Sequence, residues 1–325
     1  MGQAGSTQPP EVVGRLSKVL VTGASGFAGR WMVRLLLARG YDVVGGVRRL
    51  DETSACPEIL MDMEDPSSVF AGIKEIKPEA IIHLAAMASP HLSNDRPEAA
   101  YQVNFLGAHR LLEACRVLGL SPKVVLAGSA TVYGKVDPAH LPLREDSPVR
   151  PTDAYSLAKA SAEMLAGVFA NSVPVVVARP FNHTGPGQGT DFVLPAAAAQ
   201  IASIEVGRKE PILQLGDLSS ERDFLDVRDV VEAYLLLLEK GLPGEVYNIC
   251  SGTCKPVQDW ISELAGLSRV PMEVRTEPSR VFARSNPRLV GDNSRLGALG
   301  WTRRIDASTM LSDLLDHWRG KTIHP

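Results

Sequence analysis

Residues 19–29 read VLVTGASGFAG: an apolar run that stops at Gly23 and continues through Gly26 and Gly29. A segment at helical spacing, RWMVRLLLARG, follows at once. A strand that passes this abruptly into a helix must turn tightly, and glycines at every third position permit the turn and let strand and helix touch. The free N–H groups and partial positive charge of the helix start then face outward. In this strand–turn–helix setting, G-x-x-G-x-x-G is a variant of the dinucleotide fingerprint, in which the backbone at Gly23, Gly26 and Gly29 approaches a pyrophosphate. The alternative is a plain tight turn.

The segments downstream repeat the pattern. Gly40 stands where a helix C-cap belongs. YDVVGGVRR reads as a second strand, EILMDM as a third, DPSSVFAGIKEIK as a helix with an Asp-Pro start, and AIIHLAA as a fourth strand. A long helical stretch from Pro97 to Leu120 leads to the strand KVVLAG; a helix containing DAYSLAKASAE and the strand VPVVVARP complete the series. Strands apolar on both faces, alternating with helices, predict a parallel sheet covered on both sides. The fold class is therefore α/β, a doubly wound (Rossmann) sheet over 17–180, preceded by a loose leader at 1–16. From 181 the alternation fails, and 181–325 reads as a smaller mixed α/β substrate domain, some of whose strands return to the main sheet.

A net charge of −3 and short, scattered basic clusters exclude a nucleic-acid surface. Four cysteines in 325 residues are too few and too irregular for a disulfide framework, so a reducing, cytoplasmic setting fits. Cys250 and Cys254 have no neighbouring Cys/His pair, so no metal is expected. No apolar run approaches the roughly 20 residues of a membrane span, and no signal-peptide core precedes the first strand. The start, MGQAGS, matches the N-myristoylation pattern but reads as a polar tail.

Individual residues carry further expectations. An NAD site places an acid at the end of the second strand; here the strand ends Val47-Arg48-Arg49, and Asp42 lies at its beginning. Arg48 suits the 2′-phosphate of NADP(H), with NAD(H) still possible; the alternative is a solvated loop charge. Asp62 can accept from an adenine amino group, while Asp65 suits a helix cap. His83, inside an apolar strand, reads as a buried, hydrogen-bonded core residue. Tyr155 and Lys159, four residues apart, share a helix face; the spacing alone leaves open whether they act together or merely pack.

The ordered set of Gly23/Gly26/Gly29, Asp62, HLAA, GSATVYG, Tyr155-x-x-x-Lys159 and RPFN resembles the extended short-chain dehydrogenase/reductase family of nucleotide-sugar epimerases, dehydratases and reductases, from residue 18 to the C-terminus. The resemblance implies a catalytic Ser129, Tyr155 and Lys159. Tyr155 exchanges a proton with the sugar oxygen as hydride moves, its phenol pKa lowered by Lys159 and a cationic nicotinamide, and Ser129 steadies the same oxygen. The cofactor would also meet Ser25, Phe27, Met63, Leu84, Ala85, Ala86 and Pro180. Asn182 and Arg222 would hold a nucleotide-diphosphate sugar, together with Arg284 in preference to Arg280.

The family's 4,6-dehydratases place an acid where this chain has Ala130, Thr131 and Val132, which argues against dehydration. ARPFNHTGPGQGTDFV, SSERDFLDVRDVVEAYLLLLEKGLPGEVYNICSG and LVGDNSRLGALGW are similar to the GDP-4-keto-6-deoxy-mannose reductases, whereas GSATVYG is more typical of 4-epimerases. The expectation is an NADP(H)-dependent reductase forming a GDP-6-deoxyhexose such as GDP-rhamnose. The alternatives are a UDP-glucose/galactose-type 4-epimerase recycling NAD and, more distantly, a non-catalytic nucleotide sensor. The family pairs subunits through the Tyr155 helix and the long helix before KVVLAG, so a homodimer is implied.

Overall fold

The first half alternates as its apolar runs demand: β1 (Lys18–Thr22), α1 (Phe27–Ala38), β2 (Asp42–Val47), β3 (Glu58–Leu60), α2 (Pro66–Ile76), β4 (Ala80–His83), α3 (Pro90–Asp95), α4 (Pro97–Tyr101), α5 (Gly107–Val117), β5 (Lys123–Ala127), α6 (Ala154–Val168) and β6 (Val175–Pro180). The structure, a computed structural model, describes residues 18–276 and 287–323. The leader with its MGQAGS start, and Arg280 and Arg284, lie outside the described residues.

The second half contains β7 (Asn182–Thr184), α7 (Val193–Glu205), β8 (Ile212–Leu215), β9 (Glu221–Arg222), β10 (Phe224–Asp226), α8 (Val227–Lys240), β11 (Val246–Ile249), β12 (Lys255–Pro256), α9 (Val257–Gly266), β13 (Glu273–Thr276), β14 (Arg288–Leu289), α10 (Ser294–Ala298) and α11 (Ala307–Ile323).

Seven strands form one parallel sheet in the order β11-β6-β5-β4-β1-β2-β3. This is the doubly wound arrangement, with its crevice at the carboxyl ends where the order reverses beside β1. One face is covered by α1 and α8 through Met32, Leu36, Val230 and Tyr234; the other by α2, α5 and α6 through Ile73, Leu111 and Leu165. β11 and α8 thus bring chain from beyond residue 180 back to the main sheet. The rest of the second half forms a separate core from α7, α9 and α11, including Leu194, Trp260 and Leu314, with three small sheets.

Local chemistry sets the boundaries. Asp65 caps α2 by accepting from the Ser67 amide, with Pro66 in the first turn. α6 opens on a capping box in which Asp153 accepts from the Ser156 amide at 2.8 Å while Ser156 Oγ accepts from the Asp153 amide at 3.1 Å. The box fixes the register of Tyr155 in the first turn. Two boundaries differ from expectation. EILMDM is a strand only to Leu60, because Asp62 leaves the sheet to accept from the Glu64 amide. The helix expected from Pro97 to Leu120 contains a π turn at Gln102–Leu106. A π turn re-aims a side chain within a helix; here buried Asn104 accepts from the Met87 amide at 2.7 Å and donates to its carbonyl at 3.2 Å.

Among the described residues, no helix is long and apolar enough to cross a membrane, and no group of three or more His, Cys, Asp or Glu is gathered to hold a metal.

Candidate active site

The turn from β1 to α1 is built without room for side chains. Gly23 has φ +68°, and a Cβ there would lie 2.8 Å from the Ala85 amide nitrogen. A Cβ on Gly29 would stand 2.1 Å from the Gly23 carbonyl oxygen. Gly26 begins α1 with no side-chain cap, so the first-turn amides have no capping partner. A close-approach backbone beside an uncapped helix start fits a pyrophosphate.

This turn forms one end of a cleft of about 750 Å³ at the carboxyl edge of the sheet. The cleft gathers Gly23, Ser25, Gly26, Phe27 and Gly29 from the turn; Arg48, Asp62 and Met63 from the ends of β2 and β3; and Leu84, Ala85 and Ala86 from the end of β4. Ser129, Tyr155, Pro180 and Asn182 line it as well. Arg48 is exposed immediately after β2, whereas Asp42 lies at the other end of that strand. Asp65 is the cap described above and does not line the cleft, whereas Asp62 does, together with Glu64 and Asp191.

Two implied residues do not line the cleft. Lys159 is buried, with its ammonium donating to the Ala127 carbonyl at 2.7 Å. Arg222 donates to the Glu221 carbonyl at 2.8 Å; its register partner Leu289 is the residue that reaches the cleft. Of the acids beside Arg222, Glu221 pairs with Arg288, Asp223 accepts from the Ser251 and Gly252 amides, and the Asp217 charge acts on Arg222.

Tyr155 and Ser129 both line this wall of the cleft, and the Ser129 hydroxyl acts to lower the phenol pKa. Ser129 Oγ also receives the Thr131 amide at 3.2 Å and the Thr131 hydroxyl at 2.9 Å. The chain's own groups raise the phenol pKa, so the expected lowering by Lys159 is not seen and falls to the cationic nicotinamide. Burial dominates and pushes Tyr155 up to about 12; the Ser129 hydroxyl acts to lower it, and the nearby Asp153 charge adds to the rise. Lys159 does not offset the burial, because its ammonium is turned to Ala127. Burial brings Lys159 itself down to about 8, against the raising effect of Glu163.

His83 is a core residue as expected. Its Nδ1 lies 2.8 Å from the Thr22 hydroxyl, and burial, with Lys159 nearby, lowers its pKa to about 3. A neutral imidazole accepts there, while Thr22 Oγ1 accepts from the Ala85 amide at 3.2 Å. His83 thereby helps fix the Leu84–Ala86 wall.

Three residues of the cleft region escaped the sequence reading. Asn104 anchors Met87, a cleft residue, and only an amide in an otherwise apolar helix face hinted at it. His183 lines the cleft and stacks on Phe27, with ring centroids 6.1 Å apart and planes 9° from parallel. Gln188 also lines it and donates to the His183 carbonyl at 3.1 Å. Their segment, NHTGPGQG, reads as a Gly-rich loop, and its packing against α1 is not local information.

The chain matches the NAD dependent epimerase/dehydratase family over residues 19–250. It is 34% identical to the GDP-6-deoxy-D-mannose reductase of Pseudomonas aeruginosa, over 94% of this chain and 98% of that protein. The solved structure of RMD from Pseudomonas aeruginosa complexed with NADPH superposes with a TM-score of 0.84 at 34% identity, covering 94% of this chain and 99% of that one. The UDP-glucose 4-epimerase of Thermus thermophilus in complex with NAD gives a TM-score of 0.80 at 30% identity, over 93% and 99%.

Proposed function

Because the chain belongs to the NAD dependent epimerase/dehydratase family, we propose that it is an NADP(H)-dependent nucleotide-sugar reductase. The reaction is reduction of the C4 ketone of a GDP-4-keto-6-deoxy-mannose to a GDP-6-deoxyhexose such as GDP-rhamnose. The observation that carries this reading is the pairing of Ser129 and Tyr155 in the wall of one cleft whose other end is the glycine turn. The likeness to a GDP-6-deoxy-D-mannose reductase supports the substrate. A division of labour between residues 17–180, for the cofactor, and 181–325, for the nucleotide sugar, belongs to the same reading.

The dinucleotide, when bound, supplies hydride. The chain's own residues handle the proton. A ketone oxygen that gains a pair of electrons needs a proton donor, and burial keeps the Tyr155 phenol protonated at neutral pH. Ser129 steadies the developing charge on the same oxygen. Lys159, one helical turn along α6, holds the Ala127 carbonyl and with it the turn that carries Ser129. Ala130 and Thr131 line the cleft and Val132 is fully buried, so none supplies the acid that elimination of water requires.

Purified protein mixed with NADPH and the 4-keto-6-deoxy sugar nucleotide should consume NADPH stoichiometrically, followed by its absorbance. Sugar interconversion without net consumption would instead support a 4-epimerase. That second reading is favoured by the Ser129-Ala130-Thr131 turn and by the likeness to a UDP-glucose 4-epimerase. Binding without either outcome would leave a nucleotide sensor.

Arg48 is assigned to the 2′-phosphate, a role supported by the likeness to an NADPH complex. Arg48→Ala is expected to weaken NADPH roughly ten- to a hundredfold, since hydrogen bonds to charged groups contribute about 1.5–3 kcal/mol, and to leave NADH little changed. Titration of both dinucleotides checks this, and equal effects would return Arg48 to solvent.

The protein acts as a homodimer in this reading. Leu157, Met164 and Val168 form one exposed apolar stripe on α6, with Met164 76% exposed. Met164→Glu with Val168→Glu should convert a dimer to a monomer in light scattering; a monomeric wild type would remove the proposal. The four described cysteines are free, which supports a cytoplasmic setting.

A further inference from the structure

Ala127, Gly128 and Ser129 carry the chain from β5 into the catalytic turn, and α6 holds them from beneath. Lys159 grips the Ala127 carbonyl. Glu163, one turn further along the helix, lies directly against Gly128: a Cβ on that glycine would overlap Glu163 Oε1. The Ser129 amide faces the same carboxylate, short of a regular hydrogen bond to Oε1. On its far side Glu163 is locked to Arg179 of β6, whose Nε donates to Oε2 at 3.0 Å and whose Nη2 lies 2.9 Å from the same oxygen. Both side chains of this pair are buried, at 7% and 6% exposure. Arg179 is fixed in turn, its Nη1 donating to the Tyr133 hydroxyl at 3.0 Å and to the Glu145 carbonyl at 3.1 Å.

Glu163 Oε1 is buried without a hydrogen-bond partner. An unfilled carboxylate oxygen in such a place costs free energy, and an apolar pair of similar volume would pack without that cost. The arrangement makes sense if the charge acts on a neighbour. We propose that Glu163, anchored by Arg179, is a positioning residue that keeps Lys159 an ammonium held to the Ala127 carbonyl and so fixes the charge and the turn on which Ser129 and Tyr155 depend. What Lys159 does in turnover rests on the reductase reading above; the pairing itself does not.

The groups that act on these side chains are few. Lys159 faces His83 of β4 and Glu163 on its own helix, and Glu163 faces Arg179 and Lys159. Other charged side chains on helices packed against α6 are engaged or exposed. His91 of α3 lies by Asp95, Glu113 of α5 pairs with Arg116, Arg110 of α5 donates to Gln102 and the Met63 carbonyl, and Glu98 of α4 is exposed. His83 is neutral through the working range, so Glu163, whose carboxyl burial pushes up and Arg179 draws back toward the ionised form, is the charge that favours protonated Lys159.

Glu163→Gln keeps the shape and removes the charge. The alkaline limb of kcat/KM should move to lower pH by about one unit, so that the loss grows with pH to roughly tenfold on that limb. Glu163→Gln with Arg179→Met leaves no guanidinium unpaired and should show the same direction of shift. Independently of turnover, the Lys159 Cε resonance in ¹³C-lysine-labelled protein, identified by its loss in Lys159→Met, should titrate at lower pH in Glu163→Gln than in wild type. An unmoved limb and resonance in a variant that melts cooperatively would overturn the proposal. A rate loss equal at every pH would also overturn it, since packing alone gives that result. A wild type without turnover would sink the reductase reading, and the resonance would then decide the role of Glu163 alone.

Discussion

Tyr155→Phe is expected to lower kcat by about 10²–10⁴-fold, the range of a lost general acid, while NADPH still binds. The change removes one oxygen and keeps the ring that fills the start of α6. The capping box of Asp153 and Ser156 does not use the phenol, so the helix register survives. Ser129 keeps its bonds from Thr131. What disappears is the one proton held at the ketone. The phenol is pushed up to about 12, so it remains a donor across the usable pH range. The group that titrates first as pH rises is Lys159, brought down to about 8. The sign follows. Below that value Lys159 is charged and the reductive rate is full; above it the charge is lost and the rate falls, with no contribution from Tyr155 until far higher pH. Single-turnover absorbance with NADPH, together with calorimetric titration of the cofactor, measures both halves of the expectation. A variant that keeps more than a tenth of the wild-type rate would mean that the proton comes from another group.

The features that could be read ahead of the structure are those whose meaning lies in spacing along one element. Gly23, Gly26 and Gly29 announce the turn because strand, turn and helix are contiguous. Tyr155 and Lys159 share a face because four residues make about one turn. What could not be read depends on which elements meet. Of the two charges expected to acidify the phenol, Lys159 and a cationic nicotinamide, the fold turns the lysine to a carbonyl on β5 and buries Tyr155, so among the chain's own groups desolvation wins. Glu163 sits in plain view as the last letter of DAYSLAKASAE, and Arg179 in the strand VPVVVARP, yet only the packing of α6 on β6 makes them a pair. Asn104 looks like an ordinary helix residue until the π turn aims it at Met87. Arg222 carries the residue type a diphosphate needs, but it donates to the Glu221 carbonyl, and the residue that lines the cleft is Leu289 on the neighbouring strand.

Gly29→Ala is expected to weaken NADPH binding by two orders of magnitude or more and to lower the melting temperature. The added methyl would stand 2.1 Å from the Gly23 carbonyl oxygen and 2.8 Å from that of Ala24, and both are backbone atoms. Gly23 cannot retreat easily. Its amide donates to the Gly46 carbonyl on β2 at 2.9 Å, and its carbonyl accepts from the Gly26 amide at 2.9 Å. The first turn of α1 must therefore move away from the turn, carrying with it the uncapped amides that face the cleft. Overpacking of this kind costs about 1–3 kcal/mol, and the displaced amides remove the phosphate contacts as well. Gly167→Ala is the control. It lies in α6 with no atom of its own chain within 4 Å of the new methyl, and in the monomeric Met164→Glu/Val168→Glu background alanine there should be neutral or stabilise by up to about 1 kcal/mol through helix propensity. Calorimetric titration and thermal melts of the two variants separate the effect of a methyl group from the effect of its place. If Gly29→Ala binds NADPH as tightly as wild type, the phosphates do not rest on the start of α1, and the cofactor half of the cleft must be reassigned.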